Sequence, residues 1–252
     1  MTPIKSAESI NLRSSKYVIA IAQALMPFYW PLKRRFYLLK FRKRAFDKEI
    51  PWNWERINYN RIAVVVALLK KFSQPRYLEI GCASDILFNL VDATSKVGVD
   101  PLSGGTHRVI SDDFFKTNVN KFNVIFIDGL HTYQQVRQDL INSLRVVEDG
   151  GFIALHDTLP RNWVEQNVPG LFPGAWTGDV WKVLFELLAS QHFDFRIVQI
   201  DHGVTVIKVQ HRDMVLLDLS ETLSNKGFEY FYSNYSQLPL VNYQEFKSWI
   251  NL

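Results

Sequence analysis

Six acidic residues and two histidines in this chain stand where short apolar runs end. Glu79 falls within the run YLEIG, just before Gly81. Asp100 ends the run VGVD, 21 residues after Glu79. Asp112 and Asp113 follow a third short run. Asp128 closes FNVIFID, with His131 three residues on, and His156-Asp157 closes GGFIALHD. Carboxylates at neighbouring strand ends can hold a hard divalent cation, which takes oxygen ligands and draws down the pKa of a bound hydroxyl. A histidine on the turn leaving such a strand can take a proton. An acid about 20 residues past a first strand–turn can accept hydrogen bonds from a ribose diol. An acid at Asp112, with Asp113 as the fallback, can meet an exocyclic amine on a base.

The stretch Phe122–Pro160 sets the elements that position these groups. Asn123–Ile127 and Phe152–Leu155 are too short for helices and are bounded by turn signals, so they read as buried parallel strands. Between them Leu140, Ile141, Leu144 and Val147 recur at helical spacing until Gly150-Gly151 stops the helix. Strands are expected at Arg76–Gly81, Lys96–Asp100 and His107–Ser111, with helices over 57–71, 83–94 and 177–191. Phe195–Ile200 and Val204–Val209 form a hairpin about Asp201-His202-Gly203. Repeated βαβ units ending in an antiparallel hairpin predict a doubly wound α/β sheet covered on both faces, whose ligands lie at the C-terminal strand edge. His156 precedes Asp157 and by strand alternation should point away from it. Tyr133 is either a pocket wall or the first packed residue of its helix. Trp176 is a candidate wall for an acceptor. Asp179 reads as a helix cap, and Arg161–Ala175 as a loop able to act as a lid.

The chain has 252 residues, 47% of them hydrophobic, enough for one α/β domain with additions. Three parts are expected: a basic and apolar helical extension over 1–50, the sheet domain over 51–212, and an aromatic-rich tail over 213–252 that packs back on the domain. The net charge is +4. The excess sits between Lys33 and Arg44, without an acid, and so local an imbalance gives no reason to expect nucleic-acid binding. Cys82 is the only cysteine, which excludes an intrachain disulfide and a Cys-rich zinc site and makes a reducing cytoplasm the expected compartment. Residues 1–15 are polar and expected to be loose. Tyr17–Trp30 is apolar but short of the roughly 20 residues that span a bilayer, and it lacks a signal-peptide pattern. With the basic run, residues 17–44 could lie on an anionic membrane surface; the plainer reading is a cap on the sheet domain or on a second subunit.

The loop after the first strand has one glycine, Gly81, and there is no P-loop lysine. A pyrophosphate cofactor wants a glycine-rich loop on a helix N-terminus, so the polar groups fit a nucleoside without phosphates. This weighs against a nicotinamide-dependent oxidoreductase. A non-catalytic scaffold would not need Asp100, Asp128, His131 and Asp157 together.

In the order E-I-G, V-G-V-D, S-D-D-F-F, F-I-D-G-L-H-T-Y and G-G-F-I-A-L-H-D, residues 57–210 resemble a class I S-adenosylmethionine-dependent methyltransferase. They resemble more closely the branch of macrocin-type sugar O-methyltransferases. The first motif is weak alone; D-G-x-H-x-Y paired with G-G-x-I-x-x-H-D is much more specific. The resemblance implies a seven-stranded, mostly parallel Rossmann-like sheet with an antiparallel last strand. It places Glu79 and Gly81 at the methionine part of S-adenosylmethionine, Asp100 at the ribose and Asp112 or Asp113 at the adenine. Asp128 and Asp157 would hold a divalent metal such as Mg2+, with His131 as general base. The implied reaction is metal-assisted O-methylation of a small-molecule or glycan hydroxyl. The chain departs from the family in its first loop, where Ala83 and Asp85 replace small flexible residues. Asp85 stands either to bind the cofactor's ammonium or to hinder it.

Overall fold

The computed structural model describes residues 31–171, 174–211 and 213–252. Residues 1–15 and the apolar stretch Tyr17–Trp30 lie outside the described residues. The chain divides into two compact units, Met1–Lys43 and Arg44–Leu252. Within the first, residues 31–40 are helical. Among the described residues no helix is long and apolar enough to cross a membrane.

The second unit is built on seven strands: β1 (Arg76–Ile80), β2 (Ser95–Val99), β3 (Phe122–Ile127), β4 (Val147–Leu155), β5 (Asp194–Val198), β6 (Val204–Lys208) and β7 (Leu240–Val241). They form one sheet in the order β2-β1-β3-β4-β6-β5-β7. Only β6 runs against its neighbours, pairing antiparallel with both β4 and β5. The sequence directs this through double-sided burial. Along β3, Phe122, Ile125 and Ile127 enter one apolar cluster, while Val124 and Phe126 enter the other. Period-2 alternation with both faces covered is what a parallel sheet requires. One face is covered by α3 (Ser111–Thr117), α4 (Tyr133–Val146), α5 (Lys182–Ala189) and α7 (Phe228–Asn234). The other is covered by α1 (Arg61–Leu69), α2 (Ile86–Leu90) and α8 (Tyr243–Trp249), and a short helix, α6 (Ser220–Leu223), precedes α7.

The doubly wound sheet, its seven strands and the hairpin at Asp201–Gly203 are as expected. Two elements differ. His107–Ser111 is not a strand. It makes a single bridge, Val99 to His107, and α3 begins at Ser111. Three residues between the bridge and the Ser-Asp-Asp start of a helix leave no length for a strand. The seventh strand is instead β7, from the tail, parallel to β5. Gly150-Gly151 also does not stop the helix, which ends at Val146. The two glycines lie inside β4, where the register against β3 shifts between Phe122 and Val124. Gly150 has φ +77 and absorbs that irregularity.

Candidate active site

The C-terminal ends of β1 to β4 open on one cavity of about 670 Å³. Gly81 (φ +89) turns the chain out of β1, so close to β3 that a Cβ would collide with the Asp128 carbonyl. The loop it opens stays in the left-handed region at Ala83 (φ 46) and Asp85 (φ 61). Ala83 N–H donates to Asp100 Oδ2 at 2.9 Å, and the Leu102 and Ser103 N–H groups donate to Asp100 Oδ1, both at 2.8 Å. Burial alone would raise the Asp100 pKa, but these three bonds outweigh it and hold the carboxyl below its usual range. Asp100 is thus both a turn brace and a cavity wall. Asp85 Oδ1 accepts from Gly105 N–H at 2.6 Å. It ties down the 104–105 turn and is not among the cavity-lining residues.

Glu79 lines the cavity floor and accepts the Tyr77 hydroxyl at 2.7 Å. Burial pushes its carboxyl up to about 7. Asp139 on α4 is also buried against the cavity, and burial raises it to about 6. Gln135 Nε2 lies between Asp139 Oδ1 (3.1 Å) and Ser111 Oγ (3.2 Å), with Asp112 Oδ1 at 3.4 Å. Asp112 lines the cavity. Asp113 does not: it is exposed and pairs with Lys116 at 2.8 Å, because the first turn of α3 points successive residues in different directions.

At the ends of β3 and β4, Asp128, His131 and Asp157 converge, one ligand atom from each lying within 4.8 Å of the others. His131 Nδ1 donates to the Trp176 carbonyl at 2.8 Å, which leaves Nε2 facing Asp128 Oδ1 at 3.4 Å. Asp157 Oδ2 is 3.2 Å from Nδ1. His156 does not point away. Its Nδ1 reaches Asp128 Oδ1 at 3.0 Å and Asp157 Oδ2 at 3.5 Å. The strand ends at Leu155 and Asp157 takes φ 57, so the alternation that would separate the two side chains is broken. Burial opposes ionisation of all four residues, and their mutual charges decide the outcome. His156 and His131 hold Asp128 well below the carboxylate range, and the acids raise both histidines. Burial keeps Asp157 raised.

Two further residues complete this corner and were not singled out from the sequence. Arg61, at the start of α1, lines the cavity with Nε 3.6 Å from Asp128 Oδ2. Asp201, at the hairpin tip, accepts from Arg61 N (3.0 Å) and Nη1 (2.9 Å), and lies 3.5 Å from His156 Nε2. In the sequence Arg61 falls unremarked within the helix expected over 57–71 and Asp201 in the hairpin turn, and only the fold joins them.

Tyr133 is a core residue, not a pocket wall. It is 2% exposed and donates its hydroxyl to the buried Glu186 at 2.8 Å. Asp179 is a cap, but for α4: its Oδ1 accepts Tyr133 N–H at 2.7 Å. The Trp176 ring lies beside His131, tilted by 31° with ring centroids 5.3 Å apart, and is not among the cavity-lining residues. Gly178 (φ +59) lies so close to the His131 carbonyl that a Cβ would collide with it. The 161–175 loop, of which Phe172 and Pro173 are outside the described residues, therefore approaches the site through the turn that follows it.

Residues 79–158 match the family model described as a methyltransferase domain. No curated protein matches. Among solved structures, the chain is similar to cofactor-bound Rv0187 from MTB: 13% identity, 64% of this chain, 85% of that one and TM-score 0.46. It is also similar to a putative O-methyltransferase from Klebsiella pneumoniae at 15% identity, over 61% of this chain and 81% of that one, TM-score 0.45. MycE methyltransferase from the mycinamycin biosynthetic pathway, in complex with Mg and SAH, is 17% identical over 60% of this chain and 50% of its own, TM-score 0.41. At such scores these likenesses carry no argument about substrate. The matched stretch, residues 79–158, runs from the end of β1 to just past β4 and so contains the strand ends that open on the cavity.

Proposed function

We propose that the chain transfers a methyl group from S-adenosylmethionine to a hydroxyl, with a divalent cation at Asp128, Asp157 and His131. The acceptor is a sugar or glycoconjugate hydroxyl, the class that the resemblance to macrocin-type sugar O-methyltransferases implies. The observation that carries the reading is the charge of the cavity. Glu79, Asp100, Asp112, Asp128, Asp139 and Asp157 all line it; its basic lining residues, Arg61, His131 and His156, gather at Asp128 and Asp157 and leave the stretch from Asp100 to Asp112 and Asp139 with none. Such a lining repels a pyrophosphate, which disfavours a nicotinamide dinucleotide. It suits a ligand that carries a sulfonium and an ammonium but no phosphate. The spacing also fits. Asp100 follows β2 and Asp157 follows β4, three strand steps apart, or roughly 14 Å at the usual inter-strand distance. One molecule can therefore lie along the edge with its ribose near Asp100, its base near Asp112 and its methionine over Glu79 and Gly81.

The donor set of two carboxylates and one imidazole fits a small hard cation. When bound, such a cation lowers the pKa of an acceptor hydroxyl and orients it. The chain's own residues do the rest. The Trp176 carbonyl fixes the His131 tautomer, so Nε2 is the nitrogen able to bind or to accept a proton. His156 and Arg61 hold Asp128, and Asp201 holds Arg61. In the transfer, the acceptor oxygen displaces the neutral thioether from the methyl carbon and gives up its proton as it attacks. Most of the rate comes from aligning oxygen, methyl and sulfur.

Titration calorimetry with S-adenosylmethionine tests the donor. Micromolar binding is expected, and no heat at millimolar ligand would sink the reading. Asp128→Ala and Asp157→Ala should abolish metal-dependent turnover while leaving donor binding within a few-fold of wild type. His131→Ala separates the two roles of Nε2. Loss of turnover with unchanged metal affinity assigns the base, whereas a parallel loss of metal affinity makes it a ligand.

A further inference from the structure

We infer that the helix over residues 31–40, with the turn that follows to Lys43, docks on an anionic lipid surface. The inference is independent of the methyl-transfer reading. Leu32, Phe36 and Leu39 are 69%, 61% and 65% exposed. At 3.6 residues per turn, positions i, i+4 and i+7 fall within about 60° of one another, so the three make one stripe. Single exposed apolar residues are ordinary; three on one helix face are not. On the opposite side of the helix Tyr37, Leu38 and Phe41 are half-buried, and the Tyr37 and Phe41 ring centroids lie 6.1 Å apart. The helix thus has a second apolar side that no described residue covers.

Charge identifies what covers it. Arg35 and Lys40 flank the stripe on either side, Arg42 and Lys43 extend the basic character, and no acid occurs from residue 31 to residue 46. Aliphatic and aromatic side chains bordered by lysine and arginine match the boundary between acyl chains and negatively charged headgroups. The apolar groups sink in and the basic stems reach back to the phosphates. A nucleic acid would use the bases but leave Leu32 and Leu39 without a role. A spanning arrangement needs a longer apolar helix than the described residues contain.

The test is sedimentation of the full chain with phosphatidylcholine vesicles, with and without phosphatidylserine. Binding is expected only with phosphatidylserine, falling steeply as salt is raised. Arg35→Gln and Lys40→Gln should each weaken it by about fivefold, the usual weight of one basic residue near a charged leaflet. Leu32→Glu with Phe36→Glu should weaken it more than tenfold, with an unchanged thermal melt, since both side chains are exposed. Absence of phosphatidylserine-dependent binding overturns the inference. So does full binding by the glutamate variant. Two rival occupants are also distinguished. Binding to duplex oligonucleotides that the charge variants lose and the glutamate variant keeps would assign the surface to nucleic acid. A dimer that the glutamate variant dissociates, without lipid binding, would assign it to a second copy.

Discussion

Glu79 is a carboxyl whose burial, more than its neighbours, sets its charge. It is 2% exposed, and desolvation raises it from 4.5 to about 7 despite the Tyr77 hydrogen bond. Between those two values the folded chain binds a proton that the unfolded chain has released. Stability conferred by the protonated group is therefore complete below about pH 4.5 and is lost as pH rises through about 7. At 1.36 kcal/mol per unit the loss is about 3 kcal/mol, to order of magnitude. Glu79→Gln keeps an acceptor for Tyr77 and removes the titration. Urea melts should show the variant more stable than wild type at pH 8 and nearly equal at pH 4.5. A remaining, smaller slope below pH 6 belongs to Asp139, raised by the same cause. Parallel wild-type and variant profiles would refute the burial account. Glu79, Asp100, Asp128 and Asp157 were legible in the sequence because a strand end is a local feature; Asp139, inside α4, was not. His156 was not, because the left-handed backbone of Asp157 reverses a rule that holds only within a strand. Arg61 and Asp201 were not, because their bond joins positions 140 residues apart.

Among elements, the loop from β1 to α2 shows how a sequence can lose a pattern and keep its geometry. Its three left-handed residues are Gly81, Ala83 and Asp85, at every second position. Only the first is glycine, so the loop does not read as glycine-rich, yet it turns three times where glycine would be unstrained. Asp85 draws support from Gly105 N–H. Ala83 has only the bond from its own N–H to Asp100, which a glycine would keep. A non-glycine residue in this region costs roughly 1–2 kcal/mol, partly offset by the greater unfolded-state entropy of glycine, about 0.4–1 kcal/mol. Ala83→Gly should therefore stabilise the domain by about 0.5–1 kcal/mol, read as a higher urea midpoint at unchanged slope. A destabilised variant would mean the alanine methyl makes a packing contribution larger than its strain. The failed strand at His107–Ser111 is the converse case. Its apolar Val109 and Ile110 are 39% and 51% exposed, so a hydrophobic run existed without a face to bury it.

For the whole molecule, the tail decides how the sheet ends. β7 pairs with β5 at the edge, and the helices on either side of it go to opposite faces. Phe228 and Phe231 of α7, each 0% exposed, enter the cluster with Trp181 and Phe185. Phe246 of α8, also 0% exposed, enters the other cluster with Val64 and Leu68 of α1. The aromatic content of residues 213–252 was plain in the sequence; its division between two faces was not, because a two-residue strand leaves no periodic trace. The division makes an additive prediction. Removing a fully buried phenylalanine costs about 3–5 kcal/mol. Phe231→Ala and Phe246→Ala remove packing from separate cores on opposite faces of the sheet, so their costs should add to within about 0.5 kcal/mol. Phe228→Ala combined with Phe231→Ala should not add, because those rings touch, their centroids 5.9 Å apart. Urea unfolding of the three single and two double variants reads both comparisons. Coupling across the sheet as large as coupling within one face would mean that the tail unfolds as a single unit, and that the edge strand, not the packing of either helix, holds it in place.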